Sequence, residues 1–408
     1  MQLKQVPQDF IVDEIYDLEI FKNKDENKQY FYFILTKKNY TVMKAIEIVA
    51  RFFNTSRKLI HFAGTKDKVG ITSQIISIYG IKKENLYKNL DFLNEKQEDL
   101  KLKYIGEFNG RINLGDNLGN AFTIIVRDLK KVEIQKIRKN ILTASCRQAA
   151  VKNKFEFLNF FDSQRFGYAN NSHIIGKYIL KNEVENAVKE ILTSLPPNPK
   201  EEHINFVNEI KENWIEIKNQ NRETLCKHSL TKAYELCETN SLKIGKIILL
   251  CPQFLRDEKK ILEHLIKAKN DFPGAFRRIH KKIRTLYVNA YQSYIFNELI
   301  KNKDINSKYN ELELVHSQIN LDNELGKEIK KLLEKDELNL ENFKLKSMPE
   351  LKLSSVFRKI KIFPKNLEAF KEEKDELNEN KLKLKIKFKL GTGEYATNVV
   401  KQLFEKTL

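Results

Sequence analysis

One carboxylate in this 408-residue chain stands between two ammonium groups. It is Asp67, in the stretch Phe62-Ala63-Gly64-Thr65-Lys66-Asp67-Lys68-Val69-Gly70-Ile71-Thr72-Ser73-Gln74. Neighbouring positive charge favours the ionised form of a carboxyl group. An ionised carboxylate among cations suits a nucleophile or a base placed where a phosphate-rich substrate docks. The same residues also describe a solvated hairpin tip in which Asp67 merely pairs with Lys66 or Lys68. Taken alone they favour that plainer reading, because surface charge clusters usually do nothing more. The flanks say how the loop is held. Leu59-Ile60 precedes it, and Ile75-Ile76-Ser77-Ile78-Tyr79, β-branched and aromatic, reads as a strand after it. Gly64 and Gly70 permit backbone angles that other residues resist, so the turn can be sharp.

A second stretch has the composition of a base-binding surface. Phe155 to Tyr168 carries six aromatic residues around Asn159, Gln164 and Arg165. Aromatic faces beside amides and a guanidinium are what stacking and edge-reading of an unpaired base require. A core strand would use Phe157 and Phe160 in the same pattern, but it leaves Gln164-Arg165 unexplained.

Composition narrows the class of partner. Lys and Arg number 73 against 55 Asp and Glu, a net charge of +18. Drift toward Lys and Asn accounts for some of the lysine, not for the excess of positive over negative charge. A folded chain this basic is expected to meet a polyanion, of which nucleic acid is the usual one. The four cysteines, Cys146, Cys226, Cys237 and Cys251, form no Cys-x-x-Cys pair, and no two histidines are spaced to face one metal from a helix. No zinc site is expected, and scattered thiols suit a reducing compartment. The N-terminus lacks an apolar signal core, and no run approaches the roughly 20 apolar residues of a membrane span. The expectation is a soluble cytoplasmic protein.

In chain order, Asp9 to Glu14 alternates and reads as a first strand, and Tyr30 to Thr36 is the most strand-like run. Thr41 can cap a helix from Val42 to Phe53 with Ala45, Ile46, Val49 and Phe53 on one face. Strands are expected at Leu102–Glu107 and after the Leu118-Gly119 turn, then a helix over Val132–Ala150. Leu195-Pro196-Pro197-Asn198-Pro199 breaks the chain, and a densely charged, mostly helical interval follows. Its clearest helix spans Lys281 to Asn302, with Leu286, Ala290, Tyr294, Ile295 and Leu299 periodic. Arg277, Arg278, Lys281, Lys282 and Arg284 make its approach basic, fitting either an RNA-contacting patch or a solvated helix start. The polar interval 302–347 is expected to be partly mobile. Leu382, Leu384, Ile386, Phe388 and Leu390 then alternate with lysines, as in a sheet strand with one face open to a polyanion. Strand at both ends and a helical middle indicate an insertion into a single sheet domain.

Together these stretches resemble one family, the TruD-type transfer RNA pseudouridine synthases. The resemblance runs in order through Asp9-Phe10-Ile11-Val12-Asp13-Glu14, Ala63-Gly64-Thr65-Lys66-Asp67-Lys68, Gly119-Asn120-Ala121-Phe122, and Asn159-Phe160-Phe161 into Gln164-Arg165-Phe166-Gly167. It continues through Asn289 to Asn297 and Gly393-Glu394-Tyr395-Ala396-Thr397. The resemblance implies an α+β fold on a mixed or antiparallel pseudouridine synthase sheet with flanking helices. It implies a discontinuous catalytic domain at 1–184 and 356–408, interrupted by a mostly helical family-specific insertion at 185–355. The implied activity is that of an isomerase (an intramolecular transferase) converting uridine to pseudouridine, at position 13 of a transfer RNA, without cofactor or metal. The chain is expected to act as a monomer. The family's catalytic aspartate falls on Asp67, and its aromatic at the target base on Phe161, where other pseudouridine synthases carry tyrosine. Substrate-contacting positions fall on Phe10, Asn159 and Tyr395, and a basic partner of the aspartate on Lys4. Tyr395 departs from the phenylalanine often found there, a change that stacking survives. Asn289 stands where a small residue is common, and the helical middle exceeds that of compact members. Two alternatives share the scaffold: a catalytically silent RNA-binding or RNA-folding protein, and a synthase acting on a different RNA. An ionised carboxylate facing phosphate argues against the first, and the sequence leaves the second open.

Overall fold

The structure, a computed structural model, describes residues 1–22, 29–149, 157–219, 243–353 and 355–405. Phe155, Glu156, Cys226 and Cys237 lie outside the described residues, as does the side chain of Cys146. The chain folds as two compact units, Met1–Phe157 with Ile362–Leu408, and Leu158–Lys361. Residues 158–184 thus group with the helical unit, whereas the sequence reading grouped them with the sheet. The reason is local: helix Ser172–Leu180 lies so close to helix Lys281–Lys301 that a Cβ on Gly176 would meet Tyr287 O at 2.1 Å. Lys4, Phe10, Asp67 and Tyr395 belong to the first unit, Asn159 and Phe161 to the second.

Among the described residues of the first unit, nine strands form one mixed sheet. They are β1 (Phe10–Ile15), β2 (Gln29–Lys38), β3 (Ile60–Phe62), β4 (Ile71–Ile78), β5 (Leu100–Asn109), β6 (Gly119–Leu129), β7 (Lys365–Ala369), β8 (Glu373–Lys374) and β9 (Leu382–Leu390). The order is β7-β9-β6-β1-β4-β2-β5, with β8 also on β9 and β3 also on β4. Only β1 and β4 run parallel among these pairs.

Alternation decides which face is buried. Leu384, Ile386, Phe388 and Leu390 on β9 join Phe122, Ile124 and Val126 on β6 in a core closed by Val399, Val400 and Leu403 of helix Ala396–Glu405. Across the sheet, Phe31, Phe33, Leu35, Ile76 and Ile78 pack under helix Val42–Phe52, whose Ala45, Ile46 and Val49 are buried and whose N-terminus Thr41 caps. Each buried Val, Leu, Ile or Phe among them contributes about 1.5–3 kcal/mol. The lysine face of β9 is less open than its sequence implies. Lys387 and Lys389 are exposed, but Lys383 pairs with Glu376 at 2.7 Å, and Lys385 and Lys387 lie 5.5 and 5.2 Å from the Phe370 ring centroid.

In the second unit Lys281–Lys301 is buried on several sides, through Val288, Ala290, Tyr291, Ile295, Phe296 and Leu299, while Leu286 is exposed. Of the basic residues at its start, Arg284 is buried, whereas Arg277, Arg278, Lys281 and Lys282 are exposed. Arg277 and Arg284 both reach Glu350, and Arg278 Nε donates to His264 Nδ1 at 3.0 Å. The interval 302–347, expected to be partly mobile, holds the strand Glu311–Glu313 and helices that bury Ile305, Ile329, Leu333 and Phe343.

The N-terminal segment of the first unit is anchored by a buried cation. Arg127 on β6 is 2% exposed. Its Nε donates to both Asp9 oxygens at 2.8 and 2.9 Å, Nη1 to Asp375 at 2.8 Å and Nη2 to Glu376 at 2.9 Å. Burial alone would raise the Asp375 carboxyl, but the Asp128 N–H, Asn378, the Leu377 N–H and Arg127 together hold it well below the usual carboxylate range. Arg127→Met would leave Asp9 and Asp375 buried as uncompensated charges and is expected to cost about 3–5 kcal/mol of folding free energy, measured by urea denaturation. A loss within experimental error would show that the hub is not the anchor.

Candidate active site

The loop carrying Asp67 emerges where the sheet splits. One edge of β4 pairs with β2 throughout, from Ile71 to Ile78. The other edge is shared: β1 takes Ile71 to Ser73, and β3 takes Ile76 to Ile78. The Ile75 N–H falls in the gap, and an unpaired buried N–H costs as much as a lost hydrogen bond. Glu14, one residue beyond the last β1–β4 pair, turns its carboxylate into this gap and accepts that N–H at 3.0 Å. Its other oxygen accepts from Lys66 Nζ, and both side chains are buried. Lys66, one of the two cations beside Asp67 in sequence, is therefore spent inside the fold. Gln74 Nε2 donates to Gly64 O at 3.2 Å, and Gly115 N donates to Ala63 O at 2.8 Å, fixing the start of the loop. Gly70 ends it at φ +127°, with its carbonyl accepting from Asn39 N at 3.1 Å. Gly64, by contrast, keeps an ordinary negative-side φ.

Lys66 faces inward, and Asp67 is left 29% exposed in its side chain. Its carboxylate accepts from Lys4 Nζ at 2.7 Å, while Lys66 is bound to Glu14. Lys4 holds a left-handed backbone, φ +59°, on the segment between the Gln2–Arg127 bridge and the turn Pro7–Asp9. Its ammonium lies 3.9 Å from the Phe10 ring centroid, a favourable cation–π placement. Phe10 itself is 3% exposed and meets Phe122 edge-on, so its ring serves as floor to Lys4 and as core.

Sequence reasoning missed Lys37. Its side chain is fully buried, and Nζ donates to the Asp67 main-chain carbonyl at 2.7 Å. The signal was present: strand alternation puts Lys37 on the same face as Phe31, Phe33 and Leu35, a buried face. Burial lowers its ammonium to about 8, with the Asp67 charge opposing the shift and Lys66 adding to it. Tyr395, half-buried, precedes the last helix in a loop tied by Gly391 N to Glu394 at 2.8 Å and by Thr392 Oγ1 to Asn117 O at 3.1 Å. Asn117 stands beside Gly64, so the Tyr395 loop adjoins the Asp67 loop.

In the second unit Asn159 and Phe161 gather under a residue that no motif contained. Arg358 Nη2 donates to Asn159 Oδ1 at 2.7 Å, and its guanidinium lies 3.9 Å over the Phe161 ring. Asn159 Nδ2 donates to Lys359 O at 2.9 Å. Phe161 is 8% exposed, edge-on to Phe296, with Arg165 5.2 Å from its centroid. Asn297 clamps its backbone, accepting from Phe161 N at 2.8 Å and donating to Phe161 O at 3.0 Å. Among the described residues no cluster of His, Cys, Asp and Glu could hold a metal ion, and no helix is long and apolar enough to cross a membrane.

The sequence model of one family, tRNA pseudouridine synthase D (TruD), matches residues 1–232, 226–316 and 311–403. The chain is 31% identical to the protein named "Probable tRNA pseudouridine synthase D" of Nanoarchaeum equitans, over 99% of this chain and 98% of that one. It is 29% identical to "Probable tRNA pseudouridine synthase D 2" of Methanocaldococcus jannaschii, over 99% of this chain and 92% of that one. The crystal structure of a Methanosarcina mazei protein assigned to tRNA pseudouridine synthase D superposes with a TM-score of 0.71 at 23% identity, covering 99% of this chain and 93% of that one, which shows a shared fold.

The turn that closes the Asp67 loop has no room for a side chain. A Cβ on Gly70 would lie 2.5 Å from Phe10 O, at a φ that L-residues rarely adopt. Gly70→Ala is therefore expected to lose about 1–3 kcal/mol of stability and to displace the loop. An unchanged melting temperature would contradict this.

Proposed function

Because this chain belongs to the tRNA pseudouridine synthase D (TruD) family, we propose that it isomerises uridine to pseudouridine at position 13 of a transfer RNA, with Asp67 as its catalytic carboxylate. In that reaction the bond between C1′ of the ribose and N1 of uracil breaks and the base turns within the site. C5 then bonds to C1′, and the C5 hydrogen leaves as a proton while N1 gains one. The observation that carries the reading is the Asp67–Lys4 pair, a solvent-reachable carboxylate with an ammonium 2.7 Å from one oxygen. A carboxylate can attack covalently or remove a sugar proton, and both routes need it ionised. Lys4 sets its ammonium against that oxygen, and its seat on the Phe10 ring limits where its charge can go.

Asn159, Phe161 and Tyr395 are proposed to contact the extruded uracil, and Phe10 to act through Lys4. A uracil must leave its stack to react, at a cost of a few kcal/mol that an aromatic face helps offset. Phe161 offers such a face where the Arg358 guanidinium lies, since a base and a guanidinium make similar planar contacts with a ring. Residues 185–355 are proposed to be the family-specific insertion.

Two outcomes are expected. Asp67→Asn should abolish pseudouridine formation, scored by release of tritium from uridine labelled at C5, while transfer RNA affinity stays within a few fold. Turnover near the wild-type rate would remove Asp67 from its role. Affinity should also fall steeply with potassium chloride, because lysines such as Lys387 and Lys389 displace counterions from phosphates. A flat salt dependence would speak for contacts that are not electrostatic.

A further inference from the structure

We propose that Lys37 is a positioning residue for this reaction, holding the Asp67 main-chain carbonyl from its buried place on β2 so that the carboxylate keeps its aim. The proposal rests on Asp67 being the catalytic group. Lysines are almost never fully buried unless paired, because removing an ammonium from water is costly. Lys37 is fully buried, yet its hydrogen bond goes to a neutral acceptor, the Asp67 carbonyl at 2.7 Å. That arrangement is a poor choice for stability and a good one for fixing a single peptide unit.

The surroundings extend the argument. Thr72 is the direct cross-strand partner of Lys37, and Gln74 follows on the same face. Thr72 Oγ1 and Gln74 Oε1 are buried without a hydrogen-bond partner in the protein, and Gln74 Nε2 holds Gly64 O at the start of the same loop. A polar set thus lies under the loop inside a sheet whose next residues on that face, Leu35 and Phe33, are apolar. The charged groups that face Lys37 are Asp67 and Lys66. Lys66 is bound to Glu14, Asp67 to Lys4, and Lys38, next in sequence, turns away to Asp99 at 2.9 Å.

The consequence has two signs. Burial lowers the Lys37 ammonium from 10.5 to about 8, against the pull of Asp67. Between those values the unfolded chain binds the extra proton and the folded one does not, so this group makes stability rise with pH. Turnover should move the other way, because above about 8 the charge-assisted bond to the Asp67 carbonyl becomes a weaker neutral one. A merely structural lysine would not set the two trends against each other.

The test is the single-turnover rate of C5 tritium release from a transfer RNA transcript across about pH 7 to 9.5, beside urea denaturation at each pH, for wild type, Lys37→Met and Asp67→Asn. Wild type should slow as pH passes about 8. Lys37→Met should remain folded, turn over at least about tenfold more slowly at neutral pH, and lose the basic-side decline, since a small misplacement of a reacting group is costly. A folded Lys37→Met with the wild-type rate and profile would overturn the proposal. Should that variant not fold, a wild-type rate that stays flat through pH 8 to 9 would overturn it as well. Activity in Asp67→Asn is a different failure, because it removes the reading on which Lys37 depends.

Discussion

A sheet that opens to release a loop must do something with the backbone groups it leaves unpaired, and in this protein Glu14 does it. The carboxylate takes the Ile75 N–H in the gap between β1 and β3, and Lys66 neutralises the carboxylate. A buried ion pair of this kind adds little stability over an apolar filling, yet removing one partner is expensive. Its effect is on register. With Lys66 fixed inward, the residue after it is delivered outward, where Lys4 reaches the Asp67 carboxylate and Lys37 its carbonyl. The chemistry of the loop follows from where one side chain is consumed.

The same economy appears at the N-terminus. Lys4 adopts a left-handed backbone, which is uncommon for a lysine and persists only when its surroundings fix it. Gln2 is bridged to the Arg127 main chain and the Arg127 guanidinium grips Asp9, so both ends of the short segment bearing Lys4 are held by one residue. In the helical unit Arg358 plays a comparable part, covering Phe161 and bonding Asn159 with a single planar group. The family places this chain among enzymes that act on transfer RNA, and two of the residues proposed to meet the base, Asn159 and Phe161, are held by such a cation.

Local patterns in the sequence carried much of the fold. Alternation along 382–390, the Thr41 cap and the paired strands around the Asp67 loop depend on neighbouring residues, and those are visible in a string of letters. What escaped depends on distant partners. Lys66 pairs with Glu14 across 52 positions, and Lys4 with Asp67 across 63. Local reading offered Lys66 or Lys68 to Asp67, and only the family resemblance pointed to Lys4. Lys37 was hidden because a lysine at a strand end reads as solvated, although the strand's own period placed it inside. Leu286 misled for the opposite reason: helix Lys281–Lys301 is buried on several sides, so no single stripe marks its packing. The basic run before it was legible as charge but not as ties to Glu350 and His264, which lie elsewhere in the chain.

The most direct test of the account is to map pseudouridine at single-nucleotide resolution in the transfer RNA of cells with and without this protein. The account predicts that pseudouridine at position 13 is present in the first, lost in the second, and restored when the wild-type chain is returned. An identical pseudouridine pattern in both would contradict it.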